Sequence, residues 1–194
     1  MSLRPDLAVI AERVKPATRA LDIGCGDGAL MAALVAKGCD ARGMEIDGDL
    51  VERCVSRGLS VVQGDADRDL ADYPDKAFDY AILSQTLQTA ARPDRMLDEL
   101  LRVGRQAFVS FPNFAHWRMR AALAVGGRMP VTRSLPVSWY ETQNIHHVTV
   151  ADFRELIASM NVRCERAWFF AGDREIGAGL ANLRAEHAVF ELSR

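Results

Sequence analysis

The sequence predicts an α/β domain built on a mostly parallel sheet. Three observations carry that expectation. Short apolar runs alternate with helical patterns along most of the 194 residues, which is the signature of repeated βαβ units. The first of these runs, Ala20–Ile23, leads into a loop with glycine at every second position, Gly24, Gly26 and Gly28, and a helix opens directly behind it. The last two apolar runs have no convincing helix between them, so an antiparallel hairpin is expected at the end.

Taken in order, Leu7, Ile10, Ala11 and Val14 recur at helical spacing after the start signals Pro5 and Asp6. Ala20–Ile23 is the first strand. Residues 28–37 form a helix that Gly38 stops, and residues 41–46 a second strand. A helix over 49–57 ends at Gly58. Strands follow at 60–63 and 78–83. Residues 93–105 place Met96, Leu97, Leu100 and Leu101 on one face, with Pro93 pre-set for the first turn. Residues 107–111 make the fifth strand, residues 150–160 a helix, and residues 163–170 and 183–192 the last two of seven strands. The runs are apolar on both faces, as strands covered on both sides require. One domain over 1–194 is the expectation from the length. Residues 112–149 break the alternation with a long aromatic-rich segment that reads as a lid or insertion. A helix over 114–125, stopped by Gly126 and Gly127, lies within it.

Composition narrows the function. Net charge is −2, without the basic footprint that nucleic-acid binding requires. Cys25, Cys39, Cys54 and Cys164 lack metal-ligand or disulfide spacing and read as reduced apolar residues. Arg4, Asp6, Glu12 and Arg13 interrupt the start of the chain, which does not read as a signal peptide. No apolar run reaches the roughly 18 residues of a membrane span. A cytoplasmic protein is the expectation, with no metal site.

The glycine loop is a cofactor loop, because glycines let backbone N–H groups approach a ligand and the helix N-terminus behind them favours negative charge. Gly24, Gly26 and Ala29 fit the relaxed dinucleotide pattern. Three details point elsewhere. Asp22 sits two residues before Gly24, where a carboxylate opposes a pyrophosphate but suits an ammonium or sulfonium. Gly28 extends the loop to G-x-G-x-G. Acids recur after the second and third strands, as Glu45 and Asp65. Asp27, Asp47 and Asp67 read as solvated turn residues.

The run Asp22-Ile23-Gly24-Cys25-Gly26-Asp27-Gly28, with Glu45 and then Gly64-Asp65-Ala66, resembles the class I S-adenosylmethionine-dependent methyltransferases. The resemblance implies a Rossmann-like fold with S-adenosylmethionine or S-adenosylhomocysteine as cofactor. It implies that Gly24, Cys25, Gly26 and Gly28 wrap the methionine part, with Asp22 near its ammonium. It places Glu45, with Ile46 beside it, at the ribose hydroxyls, Asp65 and Ala66 at the adenine, and Ser84 and Gln85 against the cofactor. No Asn/Asp-Pro-Pro-aromatic motif follows the fourth strand and no Pro-Cys pair is present. The candidate bases are His116, Tyr140, His146 and His147, all in the long segment. Arg118, Arg120, Arg128 and Arg133 could hold an anionic group or form a solvated face.

Four strings in the middle of the chain are more specific. They are Ser84-Gln85-Thr86-Leu87-Gln88, residues 110–117 (SFPNFAHW), residues 127–132 (GRMPVT) and residues 139–146 (WYETQNIH). Together they resemble the MetW family of methionine-biosynthesis proteins, with Gln143 standing where that family is expected to have proline. The resemblance implies a role beside homoserine O-acyltransferase. Three classes of function stand open: a cofactor-binding partner of that acyltransferase, a methyltransferase acting on a small acceptor, and an NAD-dependent oxidoreductase. Trp117, Trp139 and Tyr140 are candidates either for a partner interface or for covering the cofactor.

Overall fold

The computed structural model describes residues 3–132 and 137–194. α1 (Pro5–Arg13) opens on proline and lays Leu7 and Ile10 on the sheet. β1 (Arg19–Ile23) runs into the glycine loop, and α2 (Ala29–Ala36) starts at Gly28. β2 (Asp40–Glu45) follows, then α3 (Gly48–Ser56), whose first N–H groups are capped by the Asp47 carboxylate. β3 (Ser60–Gln63), the short α4 (Ala66–Asp69), β4 (Phe78–Ser84), α5 (Pro93–Val103) and β5 (Gly104–Pro112) complete the parallel part. α6 (Trp117–Gly126) lies in the long segment. α7 (Val150–Ser159), β6 (Arg163–Ala171), β7 (Arg174–Ile176), α8 (Ala181–Arg184) and β8 (His187–Ser193) end the chain.

The sheet order is β3-β2-β1-β4-β5-β8-β6-β7. β3, β2, β1, β4 and β5 pair in parallel. β8 enters antiparallel between β5 and β6. The strand order reverses between β1 and β4, and open α/β sheets bind ligands at the carboxyl ends of the strands at such a point. Both the glycine loop and the Ser84-Gln85 strand end emerge there.

The sheet has eight strands where seven are expected from the sequence. The additional strand, β7, is three residues long and pairs only with β6. The strand expected over 183–192 begins at His187, because residues before it form α8. Its Ala181 is buried with Ala185 beneath α7, a use of small residues that strand periodicity does not reveal. The closing strands pair antiparallel as expected, but β8 lies inside the sheet and β7 takes its edge. The helix expected from residue 114 starts at Trp117, because Asn113 Oδ1 and Asn113 O take the N–H groups of Ala115 and His116 in a tight turn. Arg133 lies outside the described residues. Among the described residues no helix is long and apolar enough to cross a membrane, and no group of three or more His, Cys, Asp or Glu could hold a metal ion.

Two apolar layers cover the sheet. One packs α1 and α2 on Tyr80, Ile82 and Phe108. The other packs α5 and α7 around a layer that includes five phenylalanines. Phe190 lies 5.8 Å from Phe111, 4.8 Å from Phe153 and 6.0 Å from Phe169, ring centre to ring centre. Phe190→Ala is expected to destabilise the protein by about 3–5 kcal/mol through lost transfer energy and the cavity left behind. Urea unfolding measures it, and a cost below about 1 kcal/mol means the cluster collapses into the space.

Candidate functional site

The glycine loop turns back over the end of β2. Gly24, Gly26 and Gly28 all have positive φ, of 68°, 57° and 74°, a region that side chains with a Cβ rarely adopt. A Cβ on Gly24 would also strike the Thr86 side chain. The N–H groups of Gly24 and Cys25 both donate to Met44 O, at 2.8 and 3.2 Å. Glu45 completes the tie. Its Oε2 accepts from Gly26 N at 2.8 Å, and its Oε1 from Ile46 N at 2.9 Å and Asp47 N at 3.1 Å. One carboxylate therefore holds both the loop and the strand end, and retains acceptor capacity for a further donor.

A cleft of about 490 Å³ opens beside it, and Gly24, Glu45, Ile46, Asp65, Ala66 and Gln85 line it together with Thr86 and Gln143. Ile46 is exposed at 65 % despite its apolar side chain. Asp65 caps α4 by accepting from Asp67 N at 3.0 Å. Gln85 has a φ of 53°, a strained value of the kind that concentrates at functional sites. It is held by Gln85 N donating to Ser110 O at 2.9 Å, and Gln88 Nε2 donates to Gln85 O at 2.5 Å.

The other residues expected at the cofactor stand one layer back. Asp22 is buried at 3 % exposure and its Oδ1 has no partner among the described residues. Burial pushes its carboxyl well above the ordinary range, to about 7. Arg4 opposes the rise, and Glu45 and Asp6 add to it. Gly26 serves the loop through Glu45. Gly28 packs on Leu59 and Cys54 at the start of α2. Cys25 packs in the apolar layer against Gly43, and burial is the main cause that pushes its thiol up. Ser84 turns from the cleft to Asp6 and Ser110. Of the acids read as solvated turn residues, Asp27 and Asp47 cap helix starts, while Asp67 lines the cleft and takes Ala91 N at 2.9 Å.

The candidate bases do not line the cleft. His116 is buried before α6, 5.8 Å from the Trp117 ring, and burial lowers its pKa. Tyr140 is exposed and meets Trp139 edge-on at 5.7 Å. His146 and His147 border a shallow hollow with Leu87 and Phe153. His147 also meets Phe114 edge-on at 4.5 Å. A separate apolar hollow of about 230 Å³ lies within the long segment, between Phe114, Met129, Val137, Trp139 and His147. Of the described residues in that segment, Gln143 is the one lining the cleft. Gln88 positions it, because Gln88 O accepts from Ile145 N and His146 N, both at 3.0 Å. Local patterning carries no signal for the hold of Gln88 O on residues 145 and 146 or of Asp67 on Ala91, since those partners are distant in sequence.

Residues 4–192 match the family described as methionine biosynthesis protein MetW. The chain belongs to the MetW family. The bifunctional methionine biosynthesis protein MetXA/MetW of Rhodopirellula baltica is 32% identical over 207 residues, a match covering all of this chain and 33% of that protein. A ubiquinone biosynthesis O-methyltransferase of Methylococcus capsulatus is 28% identical over 124 residues, covering 61% of this chain and 52% of that one. The chain thus spans a third to a half of these relatives' lengths. Among solved structures, an S-adenosylmethionine-dependent methyltransferase from Mesorhizobium loti superposes with a TM-score of 0.71 at 17% identity, covering 96% of both chains. Magnesium protoporphyrin IX methyltransferase from Synechocystis, with S-adenosylhomocysteine bound, gives 0.68 at 17%, covering 97% of this chain and 80% of that one. These likenesses show the Rossmann-like methyltransferase fold.

Asp22 generates a pH prediction. Its folded-state pKa lies above its ordinary 3.8, so the folded protein holds this proton more tightly than the unfolded chain does. Its contribution to stability is present below pH 3.8 and is lost as pH rises towards 7. Asp22→Asn keeps the neutral form. Its stability relative to the parent is expected to rise across that window by up to about 1.4 kcal/mol per pH unit. Urea unfolding at several pH values measures this, and a difference independent of pH contradicts it.

Proposed function

We propose that this MetW-family chain binds S-adenosylmethionine or S-adenosylhomocysteine in the cleft and supports homoserine O-acyltransferase in methionine biosynthesis. The observation that carries the cofactor is the pair of carboxylates at the glycine loop. Asp22 is buried with an unpartnered oxygen, which fits an ammonium group. Glu45 is fixed at the cleft with acceptor capacity left, which fits a ribose diol. Asp65 and Ala66 at the far end suit an adenine, and Ile46 offers it an apolar contact. When bound, the cofactor supplies an activated methyl group or, as a sensor ligand, an end-product signal. The chain's own groups bind it, orient it and exclude water. A cytoplasmic location goes with this reading.

The partner rests on the Rhodopirellula relative, in which a segment similar to this chain is one part of a protein named MetXA/MetW. A support role also agrees with the positions of His116, Tyr140 and His146 away from the cleft. The alternative is methyl transfer to a small acceptor. It is favoured by the similarity to a protein named as an O-methyltransferase and by an intact cofactor loop. Fold alone does not choose between them.

Calorimetric titration with S-adenosylhomocysteine, alone and with homoserine O-acyltransferase, tests the proposal. Glu45→Ala is expected to weaken cofactor binding about tenfold or more, about 1.4 kcal/mol. If the partner alters that affinity, the cofactor must alter partner binding by the same factor. Cofactor binding indifferent to the acyltransferase, together with turnover of S-adenosylmethionine on a small acceptor, overturns the support role. No cofactor binding at all overturns the reading of the cleft.

A further inference from the structure

The long segment carries charge of the opposite sign to the rest of the chain. Residues 113–151 hold four arginines and one acid, a net charge of +3, in a chain whose net charge is −2, which leaves −5 on the remainder. Arg118, Arg120 and Arg128 are exposed, and no acid forms a salt bridge with them among the described residues. The one acid, Glu141, accepts from Ser138 Oγ. The same segment holds nine of the fourteen large apolar residues that are exposed among the described residues. Single exposed apolar residues are ordinary, but such a concentration marks a contact surface.

The apolar hollow of about 230 Å³ lies in this surface. Phe114 forms one wall, held by its N–H donating to Val148 O at 3.0 Å. Met129 and Trp139 line the hollow yet stay 40 % and 73 % exposed, so each turns one side to the hollow and the other to solvent. Arginines stand at its margin. Arg128 directly precedes the lining residues Met129 and Pro130. Arg120 Nε donates at 2.7 Å to the carbonyl of Ala115, the residue after Phe114. Thr142 and Asn144 add polar groups to the hollow, while Gln143 between them lines the cofactor cleft, so one stretch of chain borders both.

A hollow bordered by an exposed tryptophan and by arginines without acid partners has the make-up of an interface hot spot. Guanidinium groups in that state call for carboxylates on whatever covers them. A second copy fits poorly, because a twofold pair sets the patch against itself, arginine facing arginine. Lipid fits poorly too, because α6 does not gather its apolar residues on one face, as a helix lying on a membrane does. We infer that the hollow and its arginine margin are a docking site for a protein that presents one large apolar side chain within an acidic rim. The inference rests on the proposed function in identifying that protein with the acyltransferase. A partner seated there touches the stretch of chain that carries Gln143, and so reaches the edge of the cofactor cleft.

Calorimetry of the full chain with homoserine O-acyltransferase tests the site, at low salt where surface charge is least screened. Thermal unfolding of each variant checks that the fold persists. Trp139→Ser is expected to weaken binding about tenfold or more and Arg128→Glu about fivefold or more. Arg174→Glu makes the same charge change on exposed β7 and is expected to leave the affinity unchanged. Unchanged affinity in Trp139→Ser or in Arg128→Glu, or an equal loss in Arg174→Glu, overturns the site and leaves the acyltransferase role standing. If the acyltransferase does not bind the parent chain, that role fails, and a short peptide with one phenylalanine between glutamates decides the site. A saturable change in tryptophan fluorescence, about tenfold tighter than with its lysine counterpart and abolished by Trp139→Ser, upholds it. No response, or an equal one, overturns it. Self-association of the parent that Trp139→Ser abolishes makes a second copy the occupant, and binding to phosphatidylglycerol vesicles that it abolishes makes lipid the occupant. Either result overturns the inference.

Discussion

The site depends on one carboxylate accepting three backbone N–H groups. Glu45 ends β2, yet its side chain takes Gly26 N from the loop after β1 and the N–H groups of Ile46 and Asp47 from its own strand end. Charge-assisted hydrogen bonds of this kind are short and roughly twice as strong as neutral ones. They set the loop's height above the strand ends. With Gly24 and Cys25 both donating to Met44 O, the loop has little freedom to move from β2. The rest of the cleft is built against that fixed wall.

The same face carries a concentration of buried acids that stability alone does not explain. Asp6, Asp22 and Glu45 are all under a tenth exposed, and Arg4 is the basic group that opposes the rise of the Asp22 pKa. Buried carboxylates without full pairing are costly. Glu45 and Asp6 offset that cost through hydrogen bonds, whereas Asp22 Oδ1 has no partner among the described residues. Gln85 adds backbone strain at the adjoining strand end. Uncompensated charge and strain at the switch point of the sheet are what a binding site retains and a plain core removes.

The long segment is organised differently. Gln88 O pins residues 145 and 146, which brings Gln143 to the cleft. Trp117, Val131, Trp139, Tyr140 and Ile145 remain exposed. An apolar surface of this kind in one segment is unusual unless it meets something. Trp139 borders the segment's own hollow, and neither Trp117, Trp139 nor Tyr140 lines the cleft. Their positions therefore argue against a role in covering the cofactor.

The sequence by itself determined the βαβ order, the glycine loop and the acids at successive strand ends. Each is encoded locally, by period, by turn residues or by a residue's offset from a strand. The MetW-like strings determined the family. Tertiary structure alone decided which of those residues face the cleft. Gly28 and Cys25 sit in the right motif but pack inward, and Ser84 points to Asp6 because alternate residues of a strand face opposite sides. The buried contact of Asp6 with Ser110 and the hold of Gln88 O on residues 145 and 146 carried no local signal, since those partners lie many residues away and only the folded chain brings them together. The eighth strand is different: it pairs locally with β6 across a two-residue turn, but three residues are too few to show a period.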